Sequence, residues 1–178
     1  MTVVVSEGVE RDIVKLVEQY NLKLRLDIAI VKTSDDPGTA DSLREIAASK
    51  IKKNVDDVII MSCDLITDAQ FLPIIQQHQE RDAALTVLYA DGTSDRLRND
   101  PPPGPKTKSS INDDIICTEK NTDRLVYSVV GGDYDELITL SGRLMAHFKC
   151  GVNVSSKMLD SHFYIMKRWL LNYILHEQ

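Results

Sequence analysis

Asp64 could hold a metal ion because of where it stands in the sequence. It comes soon after Val58-Ile59-Ile60-Met61, a continuous apolar run typical of strands that are covered on both faces. A carboxylate at the end of such a strand can hold Mg²⁺ beside substrate phosphates through one or two oxygen ligands. The alternative is that Asp64 only closes a loop or caps a helix, since no basic partner stands near it in the sequence.

A second candidate site lies at Gly38 and Thr39, in the segment that follows Val31. Glycine lets the backbone approach a ligand closely, and threonine can cap a helix while backbone N–H groups stay free for an acceptor. In an open α/β sheet, ligands bind at the carboxyl ends of the strands, where the segments after Val31 and Met61 would fall. An ordinary turn followed by a helix cap would look the same.

The histidines and cysteines follow no pattern of an enzyme site. His78, His147, His162 and His176 have no metal-ligand spacing, and none lies beside a serine or cysteine nucleophile motif. The three cysteines are scattered, which favours neither a disulfide framework nor a zinc site and suggests a reducing compartment. No Gly-x-x-x-x-Gly-Lys-Ser/Thr sequence is present, so the chain is not a P-loop nucleotidase.

Composition and charge are those of a soluble domain. The net charge of −6 argues against an electrostatic grip on nucleic acid, which needs clustered Lys and Arg, while basic protein partners remain open. No stretch reaches the roughly 18 apolar residues that span a bilayer, and the N-terminus lacks the basic region of a signal peptide. We therefore expect a cytosolic protein without a nucleic-acid or membrane partner.

The elements that would position these residues are predicted from apolar spacing. The predicted strands are 3–5, 24–31, 58–61 and 83–89, and helical stripes lie between them at 9–20, 40–51 and 68–78, the last behind a Thr67/Gln70 capping box. Strands that alternate with helices indicate βαβ crossovers. The expected fold is α/β, a mixed, mostly parallel sheet with helices on both faces and with 58–61 as a central strand.

The amino-acid composition changes at the start of the second half of the chain. Residues 91–110 contain Pro101-Pro102-Pro103-Gly104-Pro105 and few apolar residues, which predicts a mobile loop or insertion. Beyond it, 114–118 and 124–130 predict a hairpin, and 137–140, 152–154 and 163–166 are short strand candidates. A final helix carries Trp169, Leu170, Tyr173 and Ile174 on one face. We treat residues 1–178 as a single partial domain.

Two segments closely resemble the gamma subunit of translation initiation factor 2B. They are Ser34-Asp35-Asp36-Pro37-Gly38-Thr39-Ala40-Asp41-Ser42-Leu43-Arg44 and Ser62-Cys63-Asp64-Leu65-Ile66-Thr67-Asp68. The later Asp160-Ser161-His162-Phe163-Tyr164 is similar too, so the resemblance covers most of the chain apart from 91–110. That subunit family descends from nucleotidyltransferases of the sugar-nucleotide pyrophosphorylase type, which implies a Rossmann-like nucleotidyltransferase fold.

The resemblance also implies roles for the candidate residues. Gly38 and Thr39 would line a nucleotide pocket, and Asp64 would bind Mg²⁺. Enzymes of that superfamily need in addition an N-terminal Gly-x-Gly-x-Arg loop and a Lys-Pro pair to stabilise charge on the triphosphate, and this sequence has neither. We therefore expect no catalytic residue and no required cofactor, in a domain that lacks the family's first strand and Gly-rich loop and looks cut at both ends.

The partners implied by the resemblance are the other subunits of a complex. The gamma subunit pairs with the epsilon subunit, beside alpha, beta and delta, in the guanine nucleotide exchange factor for translation initiation factor 2. Exchange catalysis lies in a helical domain of epsilon, so this chain is expected to be a noncatalytic scaffold. One alternative is a fragment of a Mg-dependent sugar-1-phosphate nucleotidyltransferase. Another is a fragment that aggregates because a lost strand leaves an unpaired sheet edge.

Overall fold

The computed structural model describes residues 1–20, 27–31, 39–50, 55–92, 114–131 and 137–176. Within these ranges the chain is mixed α/β, as predicted, with eight strands and five helices. The strands are β1 Thr2–Ser6, β2 Asp27–Val31, β3 Asp57–Met61, β4 Leu85–Asp91, β5 Ile115–Glu119, β6 Leu125–Val129, β7 Val152–Ser155 and β8 Met158–Lys167. The helices are α1 Glu10–Gln19, α2 Thr39–Lys50, α3 Phe71–Glu80, α4 Gly142–Met145 and α5 Arg168–His176.

The strands of the described ranges form three sheets. β1 and β2 pair in parallel, with Val4 opposite Ala29, on either side of the α1 crossover. β5 lies between β6 and β7 and is antiparallel to both. β8 lies between β3 and β4. The first sheet therefore has the βαβ connection that the sequence predicted, and the second has the predicted hairpin.

Backbone hydrogen bonds give the direction of β8. Ser62 N donates to His162 O at 3.1 Å, and Arg168 N donates to Asp56 O at 2.8 Å, so later residues of β8 meet earlier residues of β3. The two strands are therefore antiparallel. The same holds for β4, because Lys167 N donates to Ala84 O (2.9 Å) and Gly92 N donates to Lys157 O (2.8 Å).

The prediction of a mostly parallel sheet is wrong for the described strands. One pair is parallel and four are antiparallel. The reason is that apolar spacing reports local βα alternation, whereas β8 enters between β3 and β4 from far along the chain. The described part of the chain also places β3 at an edge of its sheet, with Ile59 and Met61 about half exposed, at 47% and 48%. The apolar run 58–61 therefore does not mark a central strand here.

The chain divides into two compact units. The first comprises Met1–Ile60, Thr67–Thr86 and Tyr164–Gln178, and the second comprises Met61–Ile66 and Val87–Phe163. In the first unit, Ala29 of β2 is buried and Leu43 of α2 packs against it. The buried residues elsewhere in the first unit include Ile165, Met166 and Leu171, and those of the second unit include Ile116, Cys117 and Phe163.

Helix α3 starts later than its capping-box pattern predicts. It begins at Phe71 with Gln70 as N-cap, and no side chain caps it. Thr67 instead accepts a hydrogen bond on Oγ1 from Ala69 N at 3.0 Å, which makes a local turn. Pro73 explains the later start, because proline is tolerated in the first turn of a helix but would break a backbone hydrogen bond farther inside.

The C-terminal predictions are confirmed in part. Strands β7 and β8 cover 152–154 and 163–166, but 137–140 is not a strand. Helix α5 is present, although its predicted apolar face is partly wrong. Leu171 is fully buried, whereas Trp169 and Tyr173 are 58% and 53% exposed. The predicted loop 91–110 lies outside the described residues beyond Gly92, and no described helix is long and apolar enough to cross a membrane.

Candidate functional site

Asp64 lies just after β3 with its carboxylate in solvent. The Ser62 hydroxyl donates a hydrogen bond to Asp64 Oδ1. This bond is the main reason that the pKa of Asp64 lies below its ordinary value; a hydrogen bond from the backbone of Asp64 and the nearby His162 act in the same direction, and desolvation opposes them. The site therefore presents an ionised carboxylate to solvent.

His162 of β8 is a neighbour of Asp64 and belongs to the same site. Its backbone adopts φ +54°, a left-handed conformation that is uncommon for a residue other than glycine and stores strain. Its N–H donates to Asp160 Oδ1 at 2.8 Å, and its Nδ1 lies 4.0 Å from Asp160 Oδ2. The Ser161 hydroxyl donates to Leu88 O at 2.6 Å. β8 is thus held at this bend by its own side chains and by β4.

The structure brings Asp64 together with residues to which sequence reasoning gave no role. Ser62, Asp160 and His162 all lie within segments that resemble the gamma subunit, but no motif distinguished them from loop residues. The left-handed backbone of His162 could not be foreseen either, because His162 lies just before the predicted strand 163–166 and no pattern indicated its conformation. The only available signal was that two polar segments, 62–64 and 160–162, each border an apolar run of the sequence.

The metal-binding prediction for Asp64 depends on which other ligands surround it. Among the residues that the structure describes, no group of three His, Cys, Asp or Glu side chains could hold a metal ion. Mg²⁺ usually takes one or two carboxylates and fills its octahedral shell with water and substrate phosphates. Asp64 fits the part of a single anionic ligand, so any Mg²⁺ here would depend on oxygens from a nucleotide.

The other candidate residues are only partly described. Thr39 is the first residue of α2 and its side chain is exposed, while Gly38 lies outside the described ranges. Asp41 in the first turn of α2 pairs with Arg44 at 2.8 Å, and Arg44 Nε also donates to Ile174 O at 3.3 Å. These contacts fix α2 against α5. The nucleotide-binding role of Gly38 and Thr39 stays a prediction.

The sequence is similar to known proteins over most of its length. No protein-family profile matches the chain. It is 29% identical over 157 residues to "Translation initiation factor eIF2B subunit gamma" of Caenorhabditis elegans, which covers 88% of this chain and 36% of the relative. It is 22% identical over 191 residues to the subunit of the same name from Dictyostelium discoideum, which covers 99% of this chain and 40% of the relative.

Both matches cover only a part of the relative's length. The chain spans 36% and 40% of the length of these two relatives, so they inform a part of the gamma subunit rather than the whole. The aligned part of the first relative nevertheless takes in 88% of this chain. These similarities support the resemblance of this chain to the gamma subunit of translation initiation factor 2B.

Proposed function

We propose that this chain is a noncatalytic scaffold domain that binds the epsilon subunit within the guanine nucleotide exchange factor for translation initiation factor 2. The observation that carries the proposal is the similarity to a gamma subunit over 88% of the chain. Partnership with the other subunits of that factor and a cytosolic location follow from the same resemblance. The parallel β1–α1–β2 unit supports a nucleotidyltransferase-like fold for the N-terminal part.

The exposed apolar side chains support a protein partner. Trp169 and Tyr173 of α5 stand one helical turn apart and are 58% and 53% exposed. Leu16 of α1 and Tyr20, which caps the C-terminal end of α1, have the same spacing and are 50% and 67% exposed. Tryptophan and tyrosine are enriched at protein interfaces, where they contribute much of the binding energy. Such residues are suited to a subunit contact.

The sequence lacks the groups that nucleotidyl transfer at Asp64 would require, which favours the scaffold role. Transfer requires groups that stabilise charge on the triphosphate, such as a Gly-rich loop and a lysine. The 178 residues contain no Gly-x-Gly and no Lys-Pro pair, and Ser62 and His162 cannot replace them as fixed cations. An ionised, exposed Asp64 is still what the alternative, a Mg-dependent sugar-1-phosphate nucleotidyltransferase fragment, would use.

A turnover assay separates the two functions. The chain would be mixed with Mg²⁺, a nucleoside triphosphate and a sugar 1-phosphate, and pyrophosphate release would be measured beside the variants Asp64→Asn and Asp68→Asn. We expect no release from any of the three proteins. Release by the wild type and by Asp68→Asn, but not by Asp64→Asn, would contradict the scaffold proposal and establish the transferase. Asp68 is the matched control because it is an exposed carboxylate in the same segment.

A further inference from the structure

His78 is a buried polar residue that the proposed function does not use. It lies in the last turn of α3 and is 1% exposed. Its Nδ1 is 2.7 Å from Thr86 Oγ1 in β4. Its Nε2 is 3.5 Å from Asp57 Oδ1 at the start of β3, just beyond the geometry of a normal hydrogen bond. One imidazole ring thus touches polar groups of two strands.

The chemistry of these contacts decides which nitrogen carries the hydrogen. If neutral His78 carried it on Nδ1, Thr86 would accept it, and the lone pair of Nε2 would face the carboxylate of Asp57 in a buried position. Two acceptors would then oppose each other, at the cost of an unsatisfied buried group. With the hydrogen on Nε2, that nitrogen points a donor at Asp57, and the Thr86 hydroxyl donates to Nδ1. Both ring nitrogens are then satisfied after a small adjustment of the 3.5 Å contact.

We propose that Asp57, His78 and Thr86 form a hydrogen-bond chain through the buried ring of His78, in which neutral His78 carries its hydrogen on Nε2 and donates it to Asp57, while the Thr86 hydroxyl donates to Nδ1. Asp57 sets the direction of the chain because it can only accept when ionised. This inference is independent of the proposed function.

Other charged groups also act on the ring and on its carboxylate partner. Asp82, in the turn after α3, is close enough to interact electrostatically with His78, and it forms an ion pair with Lys167 of β8. Lys167 in turn interacts with Asp57 and Asp56. These groups change the energy of a charged ring, but they do not change which nitrogen faces Asp57. The tautomer is therefore the more direct observable.

Nitrogen NMR of the histidine rings tests the proposal on the full chain. At about pH 8, above the ordinary titration range of histidine, we expect a protonated-type signal at Nε2 and an unprotonated-type signal at Nδ1. A hydrogen on Nδ1 instead would overturn the proposal.

Variants of Asp57 add a readout that a merely structural role would not move. In Asp57→Ala the acceptor is gone, so the Nε2–H group loses its hydrogen bond and its nitrogen and proton signals should move. Asp57→Asn keeps a carbonyl oxygen that can accept the bond, so the signals should move less. Asp56→Ala is the control, because it removes the adjacent, exposed carboxylate. Unchanged Nε2–H signals in Asp57→Ala, or an equal change in Asp56→Ala, would overturn the proposal.

Discussion

Ser62 and His162 are joined by a backbone hydrogen bond of 3.1 Å between β3 and β8. This bond holds the end of β3 against the left-handed residue of β8, and the Ser62 side chain continues the connection to Asp64. The ionisation of the exposed Asp64 carboxylate therefore depends on two strands that lie about 100 residues apart in the sequence.

Ser62→Ala should raise the pKa of Asp64 toward its ordinary value, because the Ser62 hydrogen bond is the largest cause of its lowering. A lowered pKa in the folded state contributes stability above the unfolded pKa, and this contribution is lost as the pH falls through the folded pKa. Carboxyl carbon NMR of Asp64 measures the change directly. Cys63→Ala, next in sequence, leaves the hydrogen bond intact and should titrate as the wild type. Identical Asp64 titrations in wild type and Ser62→Ala would count against the hydrogen bond.

Asp82→Asn should abolish a pH-dependent part of the stability. Asp82 forms an ion pair with Lys167, which raises the pKa of Lys167 and lowers that of Asp82, in each case mainly through their hydrogen bond. Because the pKa of Lys167 is raised, its contribution to stability is present at lower pH and is lost as the pH rises through the folded-state pKa. Because the pKa of Asp82 is lowered, its contribution is present at higher pH and is lost as the pH falls through the folded-state pKa. The advantage of the wild type should therefore be largest near neutral pH.

Urea unfolding midpoints over a pH series measure this effect. Asparagine suits the position because Asp82 has φ +47°, a conformation that asparagine also tolerates. The control is Asp12→Asn, which removes a pair with Lys15 in which both side chains are about three-quarters exposed, at 73% and 74%, whereas Lys167 in the pair with Asp82 is only 26% exposed. If Asp82→Asn kept the wild-type midpoint at neutral pH, the ion pair would contribute nothing to stability.

Leu171→Ala should lower the free energy of unfolding by about 2–5 kcal/mol, the usual loss for a leucine truncated in a packed core. Leu171 is fully buried on α5. Trp169→Ala should cost much less, because that side chain is 58% exposed on the same helix. Denaturant titration of both variants measures the two losses. A larger loss for Trp169→Ala than for Leu171→Ala would show that α5 packs through the other face.

Gly92→Ala should destabilise the chain by about 1–3 kcal/mol, as expected for overpacking. A Cβ at Gly92 would lie 2.5 Å from the backbone oxygen of Lys157 and 3.2 Å from Leu159 Cγ. Gly142→Ala is the matched control, because nothing lies within 4 Å of a Cβ there and alanine favours the helix that begins at this residue. Thermal unfolding compares the two variants. Equal stability would mean that β4 and β8 approach less closely at Gly92.

The fold could be predicted where the information is local. Apolar spacing located β1, α1, α2 and the β5–β6 hairpin, because each depends on residues within about a dozen positions. It failed at β8, whose place between β3 and β4 depends on residues far apart in sequence. It also failed for the start of α3, where the capping pattern at Thr67 was given more weight than the requirement of Pro73 for a first-turn position.

In the candidate site, too, local features could be predicted and tertiary contacts could not. Asp64 could be selected because a carboxylate after an apolar strand has a known use. The Ser62 hydrogen bond and the left-handed His162 depend on tertiary placement, and no pattern in the sequence indicated them. The sequence showed only that His78 belongs to no pattern of an enzyme site, and the structure places it in a buried position beside Asp57 and Thr86. A lone histidine on a helix does not reveal which polar groups of the neighbouring strands it will meet.

The proposed scaffold role requires binding to the epsilon subunit, which co-purification of the two chains measures. The chain alone would first be shown to unfold cooperatively, so that a negative result refers to a folded protein. Tagged epsilon subunit would then be used to recover the untagged chain, and the mass of the complex would be measured by sedimentation. The account predicts a stable complex with one copy of each chain. A folded chain that is not recovered with the epsilon subunit would contradict it.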